Sequence, residues 1–128
     1  MIIDTHSHLF TEEFDDDLPE VMSRAREAGV GRIYMPNIDA STVEALLRVC
    51  RAYEGYCFPM LGLHPTSVNA GYQAELDALK PMLDEPSHPF VAIGEVGLGE
   101  HEVYLAPGRK YPRGRTGGRR RPEDELWL

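Results

Sequence analysis

Two histidines stand one residue apart in the opening segment IIDTHSHL, at His6 and His8. On a strand, successive side chains point to opposite faces. Asp4, His6 and His8 would then share one face, with Ile3, Thr5 and Ser7 on the other. Two imidazoles at i and i+2 suit a divalent metal, because both rings can converge on one ion. Three more segments offer related groups: Asn37 and Asp39 in MPNID, His64 in GLHP, and Glu95 in IGEVG. A carboxylate at Glu95 could hold one metal or bridge two; the other reading is a solvated or helix-capping glutamate. His64 is either a site residue or a histidine that starts a loop. Asp4 is either an outer partner that orients a ligating histidine or a hydrogen-bonded structural carboxylate. Read alone, an H-x-H pair is common and binds nothing in most proteins. The four segments together are more informative.

The elements that must position these groups follow from periodicity. MIIDTHSH reads as a first strand. Leu18, Val21, Met22 and Ala25 then recur at helical spacing, with Pro19 near the start and Gly29 at the end. VGRIYMPNI is a second strand. Val43, Leu46, Leu47 and Cys50 form a second helical stripe, with Ser41 and Glu44 as its expected capping box. YCFPMLGLHP is a third strand, weakened by Pro59. Tyr72, Leu76, Leu79 and Leu83 suggest a third helix that Pro81 should break or kink. PFVAIGEVGL is a fourth strand. Strand and helix alternate, with strands starting near residues 2, 31, 57 and 90, which implies right-handed βαβ units and a parallel sheet. In such folds functional residues sit at the carboxyl ends of the strands. His6 and His8, Asn37 and Asp39, His64, and Glu95 fall there. An open sheet and part of a closed barrel both fit the pattern.

The 128 residues suit one domain, and the net charge is −8. That charge is unevenly spread. Residues 1–105 carry 6 Lys and Arg against 18 Asp and Glu, while residues 106–128 carry 7 against 3. No apolar run approaches the roughly 18–20 residues of a membrane span, and no basic-then-apolar leader opens the chain. Two cysteines, Cys50 and Cys57, make neither a disulfide framework nor a zinc-ribbon spacing. They read as small buried hydrophobes in a reducing cytoplasm. After Leu98 the sequence turns rich in Gly, Pro and Arg and loses apolar periodicity, so residues 99–128 read as a disordered basic tail behind a domain of residues 1–98.

Over residues 1–98 the chain resembles the TatD family of metal-dependent deoxyribonucleases, within the amidohydrolase-like hydrolases. IIDTHSHL, GLHP and VAIGEVGL carry the resemblance, in family order. It implies a TIM-like (β/α)₈ barrel, of which these residues would form the first half, about four βα units. It implies hydrolysis of phosphodiester bonds in DNA with one or two divalent ions, Mg²⁺ first, with Zn²⁺ or Mn²⁺ as alternatives. His6 and His8 match the family's first-strand ligands. Glu95 matches its fourth-strand carboxylate ligand, a group with a catalytic role. His64 matches a catalytic histidine near the substrate phosphate.

A complete barrel of this kind takes about 250 residues. Further ligands that the resemblance places on later strands have no counterpart here, and the family's acid and aromatic after EVGL are replaced by GEHEVYL. The expectation is a truncated product whose reading frame shifts near residue 99. Such a half barrel would expose edge strands and an apolar helix face, inviting self-association. Three other readings stand beside the nuclease. One is an amidohydrolase cleaving C–N bonds. Another is a nucleic-acid-binding module using Arg109, Lys110, Arg113, Arg115 and Arg119 to Arg121 on DNA phosphates. The third is a fragment without activity.

Overall fold

The structure, a computed structural model, describes residues 1–95. Four strands form one sheet in the order β1-β2-β3-β4. They are β1 (Ile2–Asp4), β2 (Val30–Pro36), β3 (Cys57–Leu61) and β4 (Ala92–Ile93). Each neighbouring pair is parallel. The connections carry α1 (Leu18–Glu27), α2 (Val43–Ala52) and α3 (Tyr72–Asp84). Three complete βα units and a fourth strand, in sequential and parallel order, are the first half of a TIM-like barrel as far as the described residues reach. The tail expected over 99–128 lies outside the described residues.

The helices form for the reasons the periodicity gives, with two differences. On α2, Val43, Leu46, Val49 and Cys50 are buried, while Leu47 is half-buried. Its N-terminal capping box is not Ser41 and Glu44. A turn of 3₁₀ helix, Ala40–Thr42, precedes α2, and Asp39 caps it. The Asp39 carboxylate accepts from Thr42 N at 3.2 Å, and Thr42 Oγ1 accepts from Asp39 N at 3.1 Å. Asp39 is the residue still in extended backbone, as an N-cap must be. Ser41 is already inside the turn, and Glu44 reaches Arg51 at 2.9 Å. The second difference is α3, which runs through Pro81 to Asp84. Pro81 is exposed and lies three residues from the helix end, so the forfeited amide bond to Asp77 costs only the edge of the last turn.

Pro59 sits inside β3 without breaking it. Its carbonyl accepts from Val91 N at 2.9 Å, so its missing amide also points toward β4. There β4 has not yet begun, and no ladder bond is lost. The core divides in two. Met22, Ile33, Met35, Leu46, Val49 and Cys57 pack α1 and α2 against β2 and β3. Val43, Leu61, Leu63, Val68, Leu79 and Phe90 pack the base of α3 against β3. Residues alternating with Ile33, Met35 and Cys57 lie on the opposite face of the sheet, where Tyr34 and Phe58 stack with centroids 5.2 Å apart. The two edge strands of the described sheet leave Ile2, Ile3 and Ile93 exposed, together with Val91 just before β4.

Two strands are shorter than their apolar runs. β1 stops at Asp4 because its carboxylate accepts from His6 N at 3.0 Å and from Ser7 Oγ at 2.5 Å, which turns the chain out of the ladder. β4 is two residues long and ends before Gly94. The carboxyl ends of β2, β3 and β4 are drawn tightly together there. A Cβ placed on Gly62 would lie 1.6 Å from the carbonyl oxygen of Gly94, and one on Gly94 would lie 2.9 Å from Pro36 Cβ. Only glycine fits either position.

Candidate metal centre

His6 and His8 come from the loop after β1, not from the strand itself. The alternation expected along a strand therefore does not position them; the turn closed by Asp4 does. Their rings nevertheless meet edge to face, with centroids 5.1 Å apart. Asp4 bonds to neither imidazole in the described contacts. It spends its two oxygens on the His6 amide and the Ser7 hydroxyl, which settles its role as a turn-forming carboxylate.

Glu95 follows Gly94 with φ +54°, the left-handed region that a glutamate seldom occupies. This backbone turn aims the side chain inward, and only 7% of it remains exposed. His6 Nε2 pairs with Glu95 Oε1. His8 Nε2 lies 3.2 Å from the same oxygen. His64 Nε2 lies 3.4 Å from the other oxygen, Oε2. Three strand ends thus converge on one carboxylate.

The second nitrogen of each ring determines what Nε2 can do. His8 Nδ1 is 3.0 Å from the Pro36 carbonyl, which can only accept, so Nδ1 carries the proton. Neutral His8 then presents a lone pair at Nε2, facing the lone pairs of Glu95 Oε1. Two acceptors in contact repel unless a cation lies between them. Glu95 Oε1 is buried and makes no hydrogen bond among the described residues. One metal ion would satisfy His6, His8 and Glu95 together, whereas protons would have to be supplied to each ring separately. Ligand atoms of these three residues lie within 4.8 Å of one another. The donor set, two imidazoles and a carboxylate, is that of a Zn²⁺ or Mn²⁺ site more than of an all-oxygen Mg²⁺ site.

The β2 end contributes differently from expectation. Asn37 is fully buried, and its described hydrogen bonds are made to the main chain and to none of the cluster's side chains. Its Oδ1 accepts from Gly62 N at 2.7 Å, and its Nδ2 donates to Asp39 O at 3.0 Å. Asn37 therefore ties β2 to β3, and Asp39 caps a helix. What β2 gives the site is the Pro36 carbonyl, a main-chain group that residue types do not reveal. Thr66, beside His64, is a second contributor that motif reading passes over.

An α/β half barrel with imidazoles and a carboxylate gathered at the carboxyl ends of its strands has the layout of a metal-centre hydrolase barrel. Comparison with known proteins agrees. Residues 3–110 match the family described as TatD related DNase. The chain is 33% identical over 101 residues to an uncharacterized metal-dependent hydrolase, YabD of Bacillus subtilis, covering 79% of this chain and 38% of that protein. It is 27% identical to the 3'-5' ssDNA/RNA exonuclease TatD of Edwardsiella piscicida, covering 85% of this chain and 41% of that protein. The crystal structure of YjjV, a TatD homologue of Escherichia coli K12, superposes with a TM-score of 0.62 at 32% identity, over 76% of this chain and 37% of that one. The chain belongs to the TatD-related DNase family. It spans about two fifths of the length of the relatives it matches.

Proposed function

We propose that this chain carries the first half of the active site of a metal-dependent hydrolase that cleaves phosphodiester bonds in DNA. The observation that carries this reading is the convergence of His6 Nε2 and His8 Nε2 on the buried Oε1 of Glu95. His6, His8 and Glu95 hold one divalent ion; Mg²⁺, Mn²⁺ and Zn²⁺ are the ions to test. Such an ion, when bound, supplies positive charge for phosphate oxygens and acidifies water. Asp4 fixes the loop that presents both imidazoles. Glu95, largely removed from solvent, turns its carboxyl group to the same space as both imidazoles. His64 stands beside the ion's position, with Nε2 turned to the same space, and meets a phosphate oxygen of the substrate.

The three described donors suffice for one ion. A second would draw on groups outside residues 1–95. The DNase family and the exonuclease relative favour the phosphodiester reading over the C–N alternative. Two free, buried thiols, Cys50 and Cys57, support a reducing cytoplasm. Among the described residues no helix is long and apolar enough to cross a membrane. The exposed Ile2, Ile3, Val91 and Ile93 support self-association through the sheet edges.

The test is calorimetric titration of the chain with Mn²⁺, beside cleavage of single-stranded DNA. One ion per chain is expected, with binding lost in His8→Ala and Glu95→Gln. Cleavage that persists in both variants would sink the assignment.

A further inference from the structure

His8 and His64 both turn Nε2 toward Glu95, yet their Nδ1 atoms meet opposite partners. The Pro36 carbonyl beside His8 can only accept. The Thr66 amide beside His64, at 3.1 Å, can only donate. His64 Nδ1 must therefore be the unprotonated nitrogen, and the Thr66 hydroxyl at 2.7 Å is placed to give it a second hydrogen bond. The proton of neutral His64 then resides on Nε2. A protonated Nε2 has no lone pair for a metal; it is a donor.

We propose that Thr66 is a positioning residue that commits His64 to the Nε2–H form, reserving it for a phosphate oxygen and keeping it out of the metal's ligand set. The main chain thus divides one histidine cluster into two functions. His8, backed by a carbonyl, offers a lone pair. His64, backed by an amide and a hydroxyl, offers a proton. Local structure supports the assignment. His64 caps a short 3₁₀ turn, Pro65–Ser67, with its ring as the capping acceptor. Its own amide donates to the Ile38 carbonyl at 2.7 Å, which anchors its backbone to the segment after β2. The Nδ1 partner is thereby fixed by the fold at two points. The phosphate half of this inference rests on the proposed function; the tautomer half does not.

The test is nitrogen-detected NMR of the full chain labelled with ¹⁵N-histidine, which reads the protonation of each ring nitrogen directly. Wild type and Thr66→Ser should both show His64 with a protonated Nε2 and an unprotonated Nδ1. In Thr66→Val, close in volume and exposed at this position, loss of the hydroxyl bond should raise the Nδ1–H population about fivefold. Addition of Zn²⁺ should shift the Nε2 resonances of His6 and His8 and leave the His64 tautomer unchanged. Inorganic phosphate added to the Zn²⁺-loaded chain should then shift His64 Nε2–H, with about fivefold weaker binding in Thr66→Val than in Thr66→Ser. A His64 with unprotonated Nε2, zinc coordination by His64, or a valine variant identical to wild type would overturn the proposal. The expected tautomers without any phosphate response at His64 would leave Thr66's role standing and remove the phosphodiester reading instead.

Discussion

Replacing Gly62 by alanine tests how the fold delivers Glu95. An added Cβ would sit 1.6 Å from the Gly94 carbonyl oxygen and 2.8 Å from its carbonyl carbon. Contacts of a real Cβ stay beyond 3.0 Å, so the β3 and β4 ends must part by at least 1.4 Å. Both atoms are main chain, and no side-chain rotation relieves the clash. The bond from Gly94 N to Leu61 O, 2.9 Å long, lies in the path of that movement. Overpacking of about 1–3 kcal/mol and a lost hydrogen bond of about 1 kcal/mol give a destabilisation of about 2–4 kcal/mol. Glu95 follows Gly94 directly, so its carboxylate is carried away from His6 and His8. Mn²⁺ affinity should fall by about 10–100-fold, the range for disturbed support of a ligand. Urea unfolding and calorimetric titration read the two effects. Gly55→Ala is the control, because Gly55 has φ +77° and no atom within 4 Å of the added carbon. It should cost about 1–2 kcal/mol of backbone strain and leave Mn²⁺ binding as it was. If Gly62→Ala binds Mn²⁺ like wild type, the close approach of the strand ends does not place the carboxylate.

Three further outcomes follow from particular residues. Glu95→Asn keeps a residue that tolerates φ +54° and removes a buried carboxylate, so the metal-free chain should gain about 1 kcal/mol in urea unfolding while losing Mn²⁺ binding; a loss of stability would contradict this. Asn37→Ala leaves the Gly62 amide and the Asp39 carbonyl without their partner in a fully buried setting, and should cost about 2–4 kcal/mol by thermal unfolding. Burial pushes the Cys50 thiol up to about 12 and the Cys57 thiol up to about 11, from ordinary values of 9.0. The unfolded chain therefore releases these protons first as pH rises, and stability should fall from about pH 9 towards 12, a slope that Cys50→Ala/Cys57→Ala makes shallower and that Tyr56, also raised by burial, keeps above zero.

Much of the fold is legible because the burial is periodic. The α2 stripe and the four strand positions are set by apolar spacing, and parallel order follows from their alternation with helices. The candidate site is legible because His6, His8, His64 and Glu95 fall near strand ends, where parallel α/β folds place chemistry. What periodicity misses is local hydrogen bonding. The Asp4 side chain ends β1 four residues before the H-x-H segment is complete, so the histidines converge by a turn and not by a pleat. Asp39 takes the cap that Ser41 and Glu44 seemed suited to, since capping depends on which residue remains extended. Asn37 looks like a site group by type and position, yet it is consumed in joining two strands. The Pro36 carbonyl and the Thr66 amide, which set the tautomers of His8 and His64, are main-chain groups with no signature in residue type.

The central claim is that His6, His8 and Glu95 hold one cation between them, and a crystal structure of the chain soaked in Mn²⁺ addresses it most directly. The anomalous difference map should show a peak about 2.0–2.2 Å from His6 Nε2, His8 Nε2 and a Glu95 oxygen, with His64 Nε2 outside that shell. Full Mn²⁺ occupancy elsewhere, with these three side chains facing one another and no peak between them, would contradict the account.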